Sequence, residues 1–428
     1  MDAAAADDHR LRGGALHRGE ARRQHLLQGA RRVRVKERAI VFYCGMLMSI
    51  SSFSVDITLP SFGAMARDFG APFEQVQWTI SLYMIGAGFG QLFWGSVSDR
   101  FGRRPALGAG LGIFLLGCLV AALSPSITLL LASRILQGLG AAAAIAASRA
   151  IIRDRHSGEE LARNLALATA IFAIGPILAP LIGAAVGALA GWRFIFLGLA
   201  IFAGGLLVVL MRLPETLRTP SPDAMRPRVF LQRVQRLLRH PQSRHFLFLS
   251  AVIMSSMLLI LAATPRIYEH AFGLTGTTFA LYFAFHGFGI IIGQAANRQL
   301  IRRVGIVNAM LAGTAVLIVS VLLMLAAIWA GFMSAFVMTA LLVLFATSYL
   351  ILYSNAAAMV LDPHGDIAGF TAAFYGFVSQ IGSATIVAVL VVLTGDSVTA
   401  FCWTLLAICT LCLFGLLGWR RGGEGGAR

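Results

Sequence analysis

Of the 19 carboxylates in this chain of 428 residues, Asp56 alone lies well inside a long apolar run. A charged side chain at such a depth costs about 2.5–3.5 kcal/mol or more, and apolar surroundings disfavour the anion relative to the neutral acid. A carboxyl held this way can take up a proton and return it when access changes. Asp56 shares a helical face with Ser52, Ser49 and Gly45, at i−4, i−7 and i−11. This small, polar face is suited to lining a wet cavity. Arg134, with Gln137 one turn on, is the natural partner in another apolar run. At 1.5 Å per residue Arg134 lies about 10 Å and Asp56 about 6 Å inside their spans, so the guanidinium is expected to sense the charge on Asp56 in one conformational state and to leave it in the other.

A second constellation is "GSVSDRFGRRPALG", residues 95 to 108. Asp99 and Arg103 are four apart and can pair, and Asp154 is within reach of Arg103. Gly95 and Gly102 permit close backbone approach and a tight turn. Arg100, Arg103 and Arg104 together mark a short loop on the cytoplasmic side. Pro176 and Pro180, between Gly175 and Gly183, break a third apolar run. Aromatic residues inside spans, namely Phe53, Tyr83, Trp94, Tyr282, Phe285, Tyr353 and Tyr375, suit an apolar pocket for a small molecule. His286 reads as a packing residue. Asp362, His364 and Asp366 fall in a loop and read as no metal site, and the five cysteines read as apolar packing residues.

These residues need long apolar helices to hold them. The chain is 58% hydrophobic and 13% charged, with a mean hydropathy of +0.78, far from the roughly 25% charged of a soluble domain. Twelve runs are long enough to cross a bilayer: 39–59, 76–97, 106–123, 127–151, 165–189, 193–210, 246–265, 277–296, 306–328, 333–360, 370–394 and 398–419. Backbone groups in lipid must be satisfied within each span, so the runs are helices. The net charge of +16 does not indicate a nucleic-acid partner, because 30 of the 35 Lys and Arg residues lie in the termini or in alternate connections. The opposite connections hold only Arg67, Arg193 and Arg266. Both termini are therefore expected in the cytoplasm.

The expected organisation is a disordered basic tail over 1–38, a six-helix bundle over 39–210, a linker over 211–245, a second bundle over 246–419 and a short tail over 420–428. In the linker Phe230, Val234, Leu237 and Leu238 share a face opposite Arg233 and Arg236, which predicts a helix lying on the membrane interface. Gly95, Asp99 and Arg100 are echoed at identical spacing by Gly293, Asn297 and Arg298, as in two six-helix repeats.

The 95–104 stretch resembles the best-known loop motif of the major facilitator superfamily. "LASRILQGLGAA" (131–142) is similar to its fourth-helix motif. "AIGPILAPLIG" (173–183) is similar to its fifth-helix antiporter motif, with Ala179 in place of a glycine. "DITLP" (56–60), "GWRFIF" (191–196) and "LDPHGDIAG" (361–369) resemble the Bcr/CflA, bicyclomycin-resistance type, drug/proton antiporters. The resemblance implies two bundles around a central cavity, with spans one and four beside it. It also implies a charge cluster at Asp99, Arg100, Arg103, Arg104 and Asp154 that locks the inner mouth, and a proton-tight hinge at Gly175, Pro176 and Pro180. The function it implies is export of small drug-like compounds against protons, by a monomer in a bacterial inner membrane, without a cofactor. A transporter of a defined metabolite, or a membrane receptor or enzyme, is the competing reading. The sequence shows no nucleophile–base pair or soluble catalytic domain to favour an enzyme.

Overall fold

A computed structural model describes residues 37–217, 219–221 and 226–425. All but the last two residues of the basic tail expected over 1–38 lie outside them. Among the described residues there is no strand. The helices are α1 (37–56), α2 (Phe62–Phe69), α3 (Phe73–Phe101), α4 (Arg103–Ala122), α5 (Ile127–Arg155), α6 (Gly158–Ala173), α7 (Gly175–Ala190), α8 (Trp192–Leu210), α9 (Pro227–Arg239), α10 (Pro241–Phe272), α11 (Gly276–Val304), α12 (Ile306–Trp329), α13 (Ala335–Leu361), α14 (Ala368–Thr394) and α15 (Val398–Gly425).

Among the described residues, ten helical segments are long and apolar enough to cross a membrane. One of them, Ala335–Thr394, is 60 residues long. At 1.5 Å per residue it would reach about 90 Å, three times the thickness of a hydrocarbon core. It therefore makes two passes, α13 and α14, turned by the 3-10 segment Asp362–Ile367, where His364 leaves helical geometry. The 29-residue α3 crosses as well. Its buried face carries Gln77, Thr79, Ser81 and Gln91, which explains why hydropathy alone passes it over. Adding α3 and this turn gives the twelve passes expected, with α6 and α7 together forming the fifth.

Helix–helix packing here relies on missing side chains. A Cβ on Gly138 would lie 2.0 Å from the Tyr83 carbonyl oxygen, and one on Gly86 would lie 2.2 Å from that of Ile135. The backbones of α3 and α5 are thus nearly in contact. Gly110 of α4 approaches Ala143 of α5 as closely. This is the small-residue packing that replaces the hydrophobic effect between helices in lipid. The second half repeats it, with Gly289 against Val343 and Gly293 against Thr347 bringing α11 onto α13. The halves meet along two seams, α3 on α14 and α7 on α11.

Helix α9 packs on protein along part of its apolar face. Leu237 is fully buried, Phe230 packs edge-on to Phe370 of α14, and Arg236 forms a two-pronged pair with Asp366 at 2.6 and 3.0 Å. Its apolar face covers the ends of α10 and α14. Leu238, expected on that face, is 44% exposed.

Candidate functional site

Asp56 ends α1 and is buried. Its carboxylate accepts one hydrogen bond, from Ser52 Oγ at 2.9 Å. Arg134 is fully buried, but the structure does not bring it to Asp56. Its guanidinium donates to the Ser54 carbonyl oxygen at 3.0 Å, the Thr79 carbonyl oxygen at 3.2 Å and Gln137 Oε1 at 2.5 Å. It also sits 4.8 Å over the ring of Tyr83. Gln137 passes the connection on by donating to the Gly117 carbonyl oxygen at 3.1 Å. Arg134 and Gln137 thereby tie α1, α3, α4 and α5 together through carbonyl dipoles and a ring face, with no carboxylate among them.

The contact between Arg134 and Asp56 is absent in this conformation for a geometric reason. Ser54 and Asp56 are two residues, about 200°, apart around a helix. The face that offers Ser54 to α5 turns Asp56 toward α7. There Ser52 Oγ lies against Gly175, and the Ile57 carbonyl oxygen lies against Gly183. Asp56 is left as a buried acid with no cationic partner among the described residues.

The loop cluster assembles as its spacing implied. Arg103 is 4% exposed. It donates to Asp99 at 2.5 Å, Asp154 at 2.9 Å and Ser98 at 3.0 Å, joining α3, α4 and α5. Gly102 makes the turn between α3 and α4 at φ 106°, a region that side chains rarely enter. Arg104 donates to the Met211 carbonyl oxygen at 2.9 Å. Arg100 is exposed and lies over Phe101, outside the cluster. Gly95 lies on the α3–α14 seam near Ala373.

Glu215, which sequence reasoning missed, completes the cluster. It accepts the backbone N–H groups of Arg103 and Arg104 at 2.9 and 3.0 Å, capping α4 where the helix dipole favours an anion. Burial opposes its ionisation. The backbone donors from Leu217, Arg104, Arg103 and Thr216 outweigh that and hold its carboxyl below the usual carboxylate range. The only sequence signal was an acid among the arginines just after the sixth span. A groove of about 490 Å³ adjoins the cluster, lined in part by Asp99, Arg103, Arg153 and Asp154.

On the opposite face another ion cluster crosses between the halves. Arg266 of α10 pairs with Glu74 of α3 and with Asp396, and it lies 5.6 Å from the Phe73 ring. One turn deeper Gln77 donates to the Ala262 carbonyl oxygen at 2.8 Å. Glu74 and Arg266 are 192 residues apart, and nothing in one sequence pairs them.

Pro176 does not break a helix from within. It occupies the first turn of α7, after α6 has ended at Ala173, where a missing N–H costs nothing. Pro180 lies inside α7. Gly287 of α11 packs against Pro176 and Ile177, so this interruption sits on the second seam.

The aromatic residues scatter. Tyr83 is fully buried beneath Arg134 and cannot line a pocket here. Phe285 is 57% exposed on a stripe of α11 with Leu281, Phe288 and Ile292. Phe53 is half-buried against Phe202 and close to Gly175, and half-buried Tyr282 leans on Tyr268. Trp94 donates to the Leu139 carbonyl oxygen at 2.8 Å. Tyr353 stacks on Tyr349 at 5.7 Å and leans on Tyr375 at 5.4 Å, the one aromatic cluster among these residues. His286 is buried and stacks on Phe283. His364 bonds to Ser243 at 2.8 Å, and no metal-binding group occurs among the described residues.

The profile of the Major Facilitator Superfamily matches residues 42–387, and the chain belongs to that family. It is 35% identical over 300 residues to the uncharacterized MFS-type transporter YdgK of Bacillus subtilis, covering 66% of this chain and 73% of the relative. It is 28% identical over 264 residues to the bicyclomycin resistance protein homolog of Haemophilus influenzae (61% and 66% of the two chains). It is 27% identical over 374 residues to multidrug resistance protein D of Escherichia coli (85% and 91%). The fold matches a partially occluded, inward-open structure of the xylose transporter XylE from E. coli with a TM-score of 0.68 at 15% identity, covering 89% of this chain and 96% of that one. The protein is a multi-pass membrane transporter, and its fold and relatives are those of transporters rather than enzymes.

Proposed function

We propose that the protein exports small drug-like molecules in exchange for protons, with Asp56 as the proton-carrying group. The observation that carries this reading is a buried carboxyl at the end of α1 whose polar partner is a hydroxyl rather than a cation. Burial without a counter-ion disfavours the anion, so the acid holds a proton until water or substrate reaches it. Its position supports a role in coupling. Ser52, its partner, touches Gly175 at the α6–α7 interruption, and the next residues of α7 touch α11 across the seam.

Alternating access in this reading moves the two halves about the α3–α14 and α7–α11 seams. The Arg266–Glu74 pair closes one face. The Arg103 cluster, with Arg104 and Glu215, stiffens the ends of α3, α4 and α5 at the other. The positive-inside rule assigns that arginine-rich face, and both termini, to the cytoplasm of a bacterial inner membrane. The protein works as a monomer with no cofactor, driven by the proton gradient.

Proton release from detergent-solubilised protein, on addition of each member of a panel of hydrophobic cations and antibiotics, tests the reading. Wild type releases protons with at least one compound, and Asp56→Asn binds that compound without release. Unchanged release from Asp56→Asn rejects the assignment of Asp56, and silence of wild type across the panel rejects drug/proton exchange.

A further inference from the structure

A groove of about 600 Å³ lies at the arginine-rich end of the molecule, apart from the Arg103 cluster. Gln232, Gln235, Arg236 and Arg239 form one wall of it. Their spacing, i, i+3, i+4 and i+7, puts them on one face of α9, opposite Phe230 and Leu237. The remaining wall is His240 at the start of α10 and His364 in the turn between α13 and α14.

These walls carry donors and positive charge. Among the described residues no carboxylate lines the groove. Asp366, on the same turn as His364, is held by Arg236 at 2.6 and 3.0 Å. Arg239 is exposed and has no hydrogen bond or ion pair among the described residues. Helix α10 begins here with no side-chain cap and no acid in its first turn, so its first N–H groups favour an anion. His364 is 2% exposed. Its Nε2 shares a hydrogen bond with Ser243 Oγ at 2.8 Å, whereas its buried Nδ1 has no partner among the described residues. The His364 ring stands edge-on to that of His240, 5.3 Å away. Burial, and then the nearness of His240 and Arg236, hold the His364 imidazole below its usual range against the pull of Asp366. An anion in the groove offsets this crowding of positive groups.

We infer that the groove binds a phosphate group, with Arg239 as its cation and Gln232 and Gln235 as neutral donors beside it. A guanidinium meets phosphate oxygens with two N–H donors at once. The phosphate monoester of an anionic lipid and a soluble phosphate share this chemistry, and basic pockets at the cytoplasmic ends of spans take lipid headgroups of this kind. The site goes beyond the transport reading, because it includes neither Asp56 nor the seams between the halves. An occupant would tie α9, and with it the linker, to the α13–α14 turn.

The test titrates three probes calorimetrically into the full chain in uncharged detergent at about 0.15 M salt. They are dihexanoyl phosphatidic acid, inorganic phosphate and dihexanoyl phosphatidylcholine, whose phosphate is capped. Wild type is expected to bind phosphatidic acid at one saturable site and to prefer it to phosphatidylcholine by about tenfold or more. Inorganic phosphate binding as tightly assigns a soluble ligand to the site, and weaker binding of inorganic phosphate assigns the lipid. Arg239→Gln loses the tenfold preference, and Arg239→Lys restores part of it. Arg228→Gln removes the same charge from the exposed first turn of α9, outside the groove, and leaves binding unchanged. Equal losses from Arg239→Gln and Arg228→Gln reveal a diffuse basic surface and overturn the inference. A wild type that binds neither phosphatidic acid nor inorganic phosphate, or that takes phosphatidylcholine equally well, overturns it without any variant. No proton or drug enters the measurement, so its failure and a failure of Asp56 to couple protons are read separately.

Discussion

Replacing Arg266 with Gln is expected to loosen the face that the 57–72 segment shares with α10. The magnitude follows from which contacts cross between the halves. Asp396 and Arg266 both belong to the second half and stay together when the halves part, so that pair contributes nothing to closure. The Glu74 pair and the Phe73 ring do cross. The Glu74 carboxylate is 37% exposed and Arg266 is 18% exposed, so solvent screens the pair to about 0.2–1 kcal/mol. The ring contact adds about 0.5–1 kcal/mol. Loss of both shifts the balance between closed and open states by about 0.7–2 kcal/mol, or roughly three- to thirtyfold. Gln77 and its bond to Ala262 remain, so closure is weakened and not abolished. Spin labels at Leu123 and Phe332, one in each half on this face, report the populations. The native cysteines are all buried and leave the labelling clean. Glu74→Gln should shift the distance distribution less than Arg266→Gln, because it spares the ring contact, and the double variant should go no further than Arg266→Gln. Additive single effects, or an unchanged distribution, refute the assignment of this cluster as a closure.

Asp56→Asn and Arg134→Gln are expected to act independently. The free energies of their effects on thermal stability should add within about 0.5 kcal/mol, and a coupling above 1 kcal/mol would show that the two groups meet. Gly138→Leu drives a side chain into the Tyr83 carbonyl and should cost about 3 kcal/mol or more, read as a lower melting temperature or loss of folded protein. Glu215→Gln should cost up to about 1 kcal/mol at neutral pH. The Glu215 carboxyl has its value lowered by folding, so its contribution is complete above the ordinary value of 4.5 and disappears as pH falls through the lowered one. Melting curves of wild type and variant should then converge in acid and stay apart at pH 7.

Much of the architecture was legible because one rule dominates it. A span needs about twenty apolar residues, and arginines sort the connections, so the twelve passes followed from hydropathy and charge. The Asp99–Arg103 pair followed from helical spacing. The residues that misled did so where rotation about a helix decides the outcome. Asp56 and Arg134 lie at compatible depths, but depth says nothing about azimuth, and Ser54 took the place imagined for Asp56. Tyr83 and Phe285 both read as aromatic residues inside a span, although one is buried under a guanidinium and the other faces outward. The Glu74–Arg266 pair required the two halves to be docked before it existed. The stripe on α9 is apolar as its spacing predicts, and the sequence alone does not show that α10 and α14 take up part of it.

The backbone contacts at Gly86, Gly110 and Gly138 leave α3, α4 and α5 without slack, so a substitution in this trio has nowhere to relax. The wall that Tyr349, Tyr353 and Tyr375 form in the second half is built instead from side chains, which can be exchanged one at a time. A lineage under pressure to handle new compounds would therefore vary α10, α13 and α14 while α3, α4 and α5 stayed nearly fixed. Laboratory selection for an altered compound range should return its mutations from that more permissive wall.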